Sequence, residues 1–569
     1  MVKYFQKYAF FFILLLSILL RFYKLGDIPV GFHRDEAFLG YNAYSILKTG
    51  RDMTGHLLPL HFESFIQSPG GYSYASIPFI FFFGLSPFSV RFASAFFGTL
   101  TVLMTYFLVK QLFRQVKNSE IRSSAVALIA ALLLAISPWH INLSRTTTEN
   151  TLVVFFITAG MYLFTLYLNK QKTPIAILSF FSFFITFGLY QAPRAFLPLF
   201  IPVMIALFWK TLTIKGRITG ILLYLTLICL PLFLILMSPQ LSLRLRTVNI
   251  FYSEETRLII EEQIREDGTK KIPISITRFF HNKPIGYFKE LIGNYFKHFS
   301  YPFLFEDAGL PDRYRIYKTG LLYLIEFPFI LAGLYLLIRR HAPADMLLLS
   351  WLFIAPIGSA LTFDDIPNLQ RTLIVFPALS IITAHGFLFF ITKLQKYSRL
   401  LIIPVLTVLG IFASYEIFYY LHEYYVQQLV HRPWYRHEGY KELIPAVNAV
   451  LGSYNKAVIT NSESAPTIFF LFFGIYNPAT FQKESSSSSV LSIDRTNFAA
   501  YEFTLEECPY KEYEDVDKLT GLKTIAHTAQ PGILYVNYGV CSDITITGTT
   551  IKTIKRGDGT PVFKIVTLK

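Results

Sequence analysis

Three charged residues stand together directly after the first apolar stretch of the chain. Arg34, Asp35 and Glu36 lie in the segment GFHRDEAFLGYNAYSILKTGRD at 31–52. A carboxylate at this place either caps a helix or accepts a proton from a molecule that reaches it at the lipid surface. Asp35 is therefore a candidate N-cap residue and, together with Glu36, a candidate catalytic residue.

Further candidates for substrate binding lie at or near the ends of apolar segments. A charged side chain costs about 2.5–3.5 kcal/mol at the centre of a membrane helix, so a charge close to such a helix usually has a partner or a function. They are Arg91, Arg145, Glu149, Tyr190, Arg194 and Arg371. The spacing of Arg145 and Glu149 would place both on one helical face. Structural ion pairs, or arginines that extend to lipid headgroups, are the alternatives.

An acid that faces several arginines suits sugar transfer from a lipid-phosphate carrier. Guanidinium groups stabilise the charge that develops on the departing phosphate. A carboxylate that takes the proton of the attacking acceptor contributes about 10²–10⁴ in rate. No glycine-rich nucleotide loop is needed, and the sequence has none.

No cofactor follows with certainty from the sequence. The histidines before residue 150 are scattered, without an HxxxH or cysteine cluster, so no metal ligands are predicted. Asp364 and Asp365 could bind a hard divalent cation, although a solvated loop is the favoured interpretation. A divalent cation therefore stays open as a cofactor.

The composition indicates an integral membrane protein. Of 569 residues, 53% are hydrophobic and 16% are charged, whereas soluble proteins have about 25% charged residues. The N-terminal segment MVKYFQKYAFFFILLLSILLRFYKLG has the basic start and apolar centre of a signal peptide without a small-residue cleavage site. It is interpreted as a retained anchor and first span.

About 20 apolar residues cross a bilayer as a helix, and on this measure the sequence predicts about eleven spans. They lie near 8–24, 88–110, 123–138, 149–168, 175–190, 195–210, 217–238, 317–338, 345–361, 371–392 and 399–421. With a cytoplasmic N-terminus, the short cytoplasmic loops hold fourteen lysines and arginines and the short outer loops hold three. The positive-inside rule thus predicts this orientation in the cell membrane. It also accounts for the net charge of +15, so nucleic acid is not needed as a partner.

Two domains follow from this pattern: a transmembrane domain over 1–421 and an extracytoplasmic domain over 422–569. Outer loops at about 25–87 and 239–316 interrupt the first domain. The second has alternating stretches such as GILYVNY and ITITGTTIKTI, which favour a small α/β fold. Its two cysteines, Cys508 and Cys541, could pair in an oxidising compartment.

The first outer loop also predicts an amphipathic helix. Leu39, Ala43, Ile46 and Leu47 follow helical spacing, and Gly50 ends the pattern. Such a helix is expected to lie in the membrane surface, with Asp35 at its N-terminal end.

The sequence resembles the GT-C class of membrane glycosyltransferases, in the branch that holds bacterial relatives of protein O-mannosyltransferases and the lipid A aminoarabinose transferase. The resemblance lies in the acidic pair, in GYNAYSILKTGRD and FFFGLSPFSVRFASAFFGTLTVL, and in SPWHINLSRTTTENTLVVFF, GLYQAPRAFLPLF and QRTLIVFPALSIITAHG. It covers about 5–420. It implies an all-α polytopic membrane bundle, here followed by the α/β domain.

The resemblance also implies a polyprenyl-phosphate-linked sugar donor and inversion at the anomeric carbon. The first-loop acid, here Asp35 with Glu36 beside it, would be the base or would position the acceptor. Arg91 matches the arginine of the family's second span, and Glu149 lies where a second acid is often found. The acceptor would be the hydroxyl of a protein, lipid or glycan in contact with membrane lipid.

One departure concerns the stretch HFESFIQSPGGYSY, where Gln67 stands and a phosphate-binding lysine of some members has no counterpart. Gln67 is included among the substrate-binding candidates. The alternatives to this function are a multi-span flippase or exporter and a polysaccharide ligase or polymerase of the cell envelope. An exporter is expected to show two related halves, which the sequence does not.

Overall fold

The computed structural model describes residues 2–62, 68–113, 120–485, 496–516, 523–542 and 547–568. Their contacts divide the chain into two units. The helical unit comprises Met1–Tyr23, Ser94–Ser144 and Thr148–Leu421, and the mixed unit comprises Lys24–Ala93, Arg145–Thr147 and His422–Lys569. The residues of the first outer loop thus group with the C-terminal region and not with the helices of the predicted transmembrane domain.

The described residues form 24 α-helices. The first twelve are α1 Val2–Phe22, α2 Arg34–Thr49, α3 Gly71–Phe83, α4 Pro87–Leu112, α5 Glu120–Ile136, α6 Pro138–Ser144, α7 Glu149–Lys170, α8 Thr173–Ile185, α9 Pro193–Leu207, α10 Ile214–Tyr224, α11 Leu230–Met237 and α12 Pro239–Thr247. The others are α13 Glu254–Thr269, α14 Ile274–Phe280, α15 Lys283–Lys297, α16 Tyr301–Phe305, α17 Phe327–Arg340, α18 Pro343–Ile354, α19 Ile357–Ala360, α20 Phe376–Tyr397, α21 Ile402–Tyr425, α22 Tyr440–Leu451, α23 Pro466–Phe473 and α24 Pro478–Glu484.

Apolar helices occupy the predicted spans, but their number is not confirmed as eleven. Among the described residues, six helices are long and apolar enough to cross a membrane, or seven if α5 and α6 form one bent span. The predicted span at 317–338 is shorter than expected, because α17 begins only at Phe327. The turn before α17 is held by another helix, because the backbone N–H groups of Leu324 and Ile325 donate to the carboxylate of Glu416 on α21.

The bend between α5 and α6 has a local cause. The two helices meet at 58°, and Pro138 begins α6. Proline has no N–H to donate to the carbonyl four residues earlier, that of Leu134. The buried guanidinium of Arg21 donates instead to Leu134 at 3.1 Å and to the carbonyl of Ala135 at 3.0 Å. An arginine at the end of α1 therefore supplies the hydrogen bonds that the bend leaves open.

The mixed unit contains the small C-terminal sheet region that the sequence predicted. The strands are β1 His61–Phe62, β2 Ser68–Pro69, β3 Lys456–Thr460, β4 Tyr501–Thr504, β5 Glu512–Val516, β6 Lys523–His527, β7 Ile533–Tyr538, β8 Gly548–Lys555 and β9 Pro561–Leu568. Five of them form a sheet in the order β4-β3-β7-β9-β8. Strand β3 pairs in parallel with β4 and β7, whereas β9 is antiparallel to β7 and β8. The predicted pair Cys508 and Cys541 forms a disulfide.

Helix α2 was predicted to lie in the membrane surface, and the structure corrects this. Its residues from Glu36 to Ala43 are all buried, so the helix has no wide exposed face. A Cβ at Gly40 would lie 2.6 Å from Val90 and 2.8 Å from Phe472. The end of the helix is as predicted: Gly50 has φ 69°, and its N–H donates to the carbonyl of Ile46.

Candidate active site

Glu36 is the buried member of the acidic pair. Its carboxylate receives two hydrogen bonds from the guanidinium of Arg91, at 2.9 and 3.1 Å. The backbone N–H and the hydroxyl of Thr147 donate to the same carboxylate at 3.1 and 2.9 Å. Burial raises the pKa of Glu36, but the Arg91 charge and the Thr147 hydrogen bonds outweigh it, so the pKa lies below its ordinary value. Glu36 is thus an ionised, fully bonded group.

Arg91 uses every donor that a guanidinium has. Besides its bonds to Glu36, it donates to the carbonyl oxygens of Leu25 at 3.4 Å, Pro29 at 3.0 Å and Gly31 at 2.7 Å. These bonds account for its five N–H groups. A phosphate would have to displace one of these acceptors, so binding of the donor phosphate by Arg91 stays a prediction. In this structure Arg91 holds the loop that precedes α2.

Asp35 does not cap the helix, which corrects one of the two interpretations of the sequence. The N-cap is His33, whose Nδ1 accepts the backbone N–H of Asp35 at 3.2 Å. The Asp35 carboxylate lies 3.5 Å from that nitrogen and 3.8 Å from Nε of Arg34. Its side chain is 24% exposed, whereas that of Glu36 is 4% exposed. Asp35 is therefore the more exposed member of the pair.

Arg145 and Glu149 do not share a helical face as predicted. Helix α6 ends at Ser144 and α7 begins at Glu149, so Arg145 lies in the connection between them. Its buried guanidinium donates to the hydroxyl of Tyr424 at 3.2 Å and to the carbonyl of Ile28 at 3.0 Å. Arg145 therefore supports the same loop as Arg91, from another part of the mixed unit.

In the helical unit, Glu149 accepts a hydrogen bond from the side chain of Gln370 at 3.3 Å. The neighbouring Arg371 is buried and does not extend to lipid headgroups. It forms an ion pair with Asp364 at 3.0 Å and also hydrogen-bonds to Tyr190. Two predicted site residues, Tyr190 and Arg371, are thus brought together.

Arg194 has a different environment. It is buried, and it donates to the carbonyl oxygens of Phe187 at 3.0 Å and Leu241 at 3.4 Å. Within the described ranges no carboxylate lies within ion-pairing distance of it, and its Nε has no hydrogen-bond acceptor. Among the residues that the structure describes, the groups that accept hydrogen bonds from this buried cation are backbone carbonyls.

Two predictions concern residues that the structure tests only in part or not at all. Gln67 lies outside the described residues. In the part of the chain that the structure describes, no group of three histidine, cysteine or acidic side chains could hold a metal ion. Asp364, one of the two cation candidates, is paired with Arg371.

Sequence reasoning missed Thr147 and His33 as parts of this site. The run SRTTTEN offered a signal for Thr147, because consecutive hydroxyl side chains beside an apolar helix need hydrogen-bond partners. His33 directly precedes the charged triplet and could have been considered as its cap. Both residues hydrogen-bond to the acidic pair: Thr147 donates to the Glu36 carboxylate, and His33 accepts the backbone N–H of Asp35.

Comparisons with known proteins support the resemblance seen in the sequence. The family described as dolichyl-phosphate-mannose-protein mannosyltransferase matches residues 11–249. No curated protein sequence matches the chain significantly. Among solved structures, ArnT from Cupriavidus metallidurans matches in the apo state with TM-score 0.51, 11% identity and 97% of both chains covered. The structure of the same protein bound to undecaprenyl phosphate matches with TM-score 0.51 and 12% identity, again over 97% of both chains.

The oligosaccharyltransferase of Archaeoglobus fulgidus in the apo form matches with TM-score 0.50 and 15% identity. That match covers 83% of this chain and 64% of the archaeal protein, so the chain spans less than two thirds of this longer relative. At these identities the structural matches concern the fold alone. The mannosyltransferase family match and the ArnT-like fold confirm that the chain resembles the GT-C glycosyltransferases.

Proposed function

We propose that this chain is an integral membrane glycosyltransferase. It moves a sugar from a polyprenyl-phosphate-linked donor to an acceptor hydroxyl on the outer face of the membrane, with inversion at the anomeric carbon. The family match over residues 11–249 and the ArnT-like fold support this class of reaction. The acceptor is a protein, a lipid or a glycan.

The observation that carries the proposal is the division of roles within the acidic pair. Glu36 is ionised, buried and bonded to Arg91 and Thr147, so it supports the loop. Asp35 presents a partly exposed carboxylate on the same helical turn. We therefore assign the base to Asp35 and a supporting role to Glu36.

In the proposed reaction, Asp35 accepts the proton of the acceptor hydroxyl. The oxygen then forms a bond to the anomeric carbon while the bond from that carbon to the phosphate oxygen breaks. Polyprenyl phosphate leaves with the bonding electron pair, and its negative charge requires cationic or N–H donors nearby. Proton acceptance by the carboxylate contributes about 10²–10⁴ in rate.

Of the predicted phosphate-binding arginines, Arg194 has the strongest support from its environment. Arg91 has no N–H left, and Arg371 is paired with Asp364. Arg194 has an Nε without an acceptor and, among the described residues, no carboxylate partner. A buried cation of this kind is stabilised when an anion binds, so we propose Arg194 as a ligand of the lipid phosphate.

The disulfide between Cys508 and Cys541 supports the proposed outer location of the C-terminal region. Disulfides persist in oxidising compartments and are rare in the cytosol. The charge asymmetry of the short loops supports the same orientation.

The test is mass spectrometry of glycans and glycoproteins in a strain that lacks this chain, complemented with single variants. We expect Asp35→Asn to fold, because the helix cap uses the backbone N–H of residue 35 and not its carboxylate. We expect it to restore no product, because an amide cannot replace the carboxylate as the base. Asp27→Asn is the matched control, since Asp27 lies in the same loop with a 70% exposed side chain. Wild-type product from Asp35→Asn would refute the assignment of the base.

The same strain decides two related questions. An unchanged glycan profile in the strain without this chain would contradict the proposed transferase activity. Once the product is known, transfer by purified protein with and without EDTA determines whether a divalent cation takes part, with Asp364 and Asp365 as the sequence candidates.

A further inference from the structure

The segment between α21 and α22 packs against the residues that precede Asp35. Gly31 has φ +78°, and a Cβ added to it would lie 2.6 Å from the carbonyl oxygen of Arg436. The ring of Phe32, the next residue, lies 4.7 Å from that of Phe472 between centroids. Gly31 and Phe32 are thus in close contact with the C-terminal region, with Arg436 from the segment between α21 and α22 and with Phe472 from α23.

His437 contacts the ring of His33, the residue two positions before Asp35. Its ring centroid lies 4.7 Å from that of His33 and 5.7 Å from that of Phe469. Its backbone has φ 53° and ψ 47°, a left-handed conformation that residues with a Cβ rarely adopt. Such conformations persist where the surroundings impose them, and they are frequent at functional sites.

His33 transmits this contact to the first turn of α2. Its Nδ1 accepts the backbone N–H of Asp35 and lies 3.5 Å from the Asp35 carboxylate. A rotation of the His33 ring would therefore break this hydrogen bond, which fixes the backbone of Asp35 in the first turn of α2. The ring of His437 limits that rotation, because the two rings are in contact, with their centroids 4.7 Å apart and their planes tilted by 42°.

We propose that His437 is a positioning residue for the transfer reaction. It holds the ring of His33, and His33 holds the first turn of α2, so that the Asp35 carboxylate stays where the acceptor hydroxyl can reach it. The C-terminal region thereby contributes to catalysis through a side chain that does not touch the reacting atoms. This inference rests on the proposed role of Asp35 as the base.

The experiment uses the full-length chain in the strain that lacks it, with the rate of product formation measured by mass spectrometry after induction. His437→Ala is expected to lower this rate about 10²-fold, as displacement of a catalytic group by about 1 Å does. His437→Phe keeps a ring against His33 and is expected to retain most of the rate. His422→Ala is the matched control, because His422 is 53% exposed.

A second readout separates positioning from general stability. Hydrogen exchange of the purified variants should become faster in His437→Ala over residues 33–40 and stay unchanged over α22 and α23. His437→Phe should exchange like the wild type in all three segments. If His437→Ala does not accumulate as folded protein, His437→Leu replaces it, since leucine fills the space without providing a ring.

Two results would overturn the inference. One is a wild-type rate in His437→Ala or His437→Leu, and the other is an equal loss of rate in the Phe variant while its hydrogen exchange stays normal. The failure of the inference is distinct from that of the proposed function. If Asp35→Asn abolishes product and His437→Ala does not, only the inference fails, whereas product from Asp35→Asn refutes the proposed base itself.

Discussion

Two adjacent carboxylates, those of Asp35 and Glu36, have different environments because consecutive residues on a helix do not face the same side. Glu36 turns inward and completes the hydrogen bonding of Arg91, while Asp35 turns outward. The buried pair is favourable only because both partners are present. Removal of one partner of such a pair leaves an uncompensated charge.

The first prediction concerns Glu36→Gln, which leaves the charge of Arg91 unbalanced. We expect it to lower the free energy of unfolding by about 3–5 kcal/mol at neutral pH. Because the folded state lowers the pKa of Glu36, its contribution is present above the unfolded pKa and is lost as the pH falls through the folded pKa. The difference between wild type and variant should therefore be constant near pH 7 and shrink below about pH 4.3.

Thermal unfolding in detergent over this pH range measures the effect. The matched control is Glu442→Gln, an acidic residue in the first turn of α22. A difference that does not depend on pH would contradict an ionised Glu36.

The second prediction is that Arg91→Lys destabilises the loop although it keeps the charge. An ammonium has three N–H donors and a guanidinium has five, so at least two of the acceptors of Arg91 would lose their hydrogen bonds. Each buried acceptor without a donor costs about 1–3 kcal/mol. Faster hydrogen exchange over residues 25–36 is the expected result, with the 45% exposed Arg34→Lys as the control.

At this scale the sequence provided candidate residues but not their hydrogen-bond partners. Asp35, Glu36 and Arg91 are candidates because charges beside apolar segments are rare, and their functional roles stay predictions. Their pairing could not be read from the sequence, since Arg91 is 55 residues away from Glu36. His437 gave no signal, because its importance depends on a ring contact between residues far apart in the chain.

At the scale of elements, the site depends on a loop that has no regular structure of its own. The carbonyl oxygens of Ile28, Pro29 and Gly31 all point to arginine donors from elsewhere in the mixed unit. Gly31 combines a left-handed backbone with a close approach to another segment. A side chain at position 31 is therefore opposed by a steric collision as well as by backbone strain.

The third prediction compares Gly31→Ala with Gly55→Ala. Both glycines have positive φ, +78° and +94°, so an alanine costs about 1–2 kcal/mol at either one. Only at Gly31 would the added Cβ collide, whereas nothing lies within 4 Å of it at Gly55. We expect Gly31→Ala to unfold at a clearly lower temperature and to lose product in the complemented strain. Equal effects of the two substitutions would show that the contact with Arg436 is loose.

The elements were predictable where hydropathy alone decides them. Apolar helices stand at the predicted spans because a run of about 20 apolar residues has few alternatives. Helix α2 was placed wrongly in the membrane surface, because its spacing shows an apolar face but not the partners on its other sides. The start of α17 was missed for the same reason, since a carboxylate on α21 fixes the turn before it.

At the scale of the whole molecule, the mixed unit is assembled from three separate parts of the chain. Its C-terminal part carries both a five-stranded sheet and the disulfide. The disulfide joins cysteines 33 residues apart, ahead of β5 and after β7. It closes a loop that contains β5, β6 and β7.

The fourth prediction is that loss of this disulfide weakens the sheet. A loop of 33 residues corresponds to about 3–4 kcal/mol in the chain-entropy description. The double variant Cys508→Ser with Cys541→Ser should lose its protease resistance at a lower urea concentration than the wild type. Reductant should lower the wild type to the same value and leave the variant unchanged.

The control is Cys229→Ser, because the thiol of Cys229 takes part in no disulfide.

The orientation of the C-terminal region is tested on intact cells with a membrane-impermeant maleimide reagent. Residues 508 and 541 should react only after reduction. Reaction without reductant, or reaction only after lysis, would contradict the proposed oxidising location.

Because the mixed unit is built from separate parts of the chain, its parts are synthesised at different times. Residues 31–33 leave the ribosome about 400 residues before Arg436 and His437, which is roughly 20–80 s at about 5–20 residues per second. During that interval only segments already synthesised, those of Arg91 and Arg145, are present to hold the loop. Translation must therefore pass through a period in which Asp35, the proposed base, has been made while the residues that contact its loop from the C-terminal region have not.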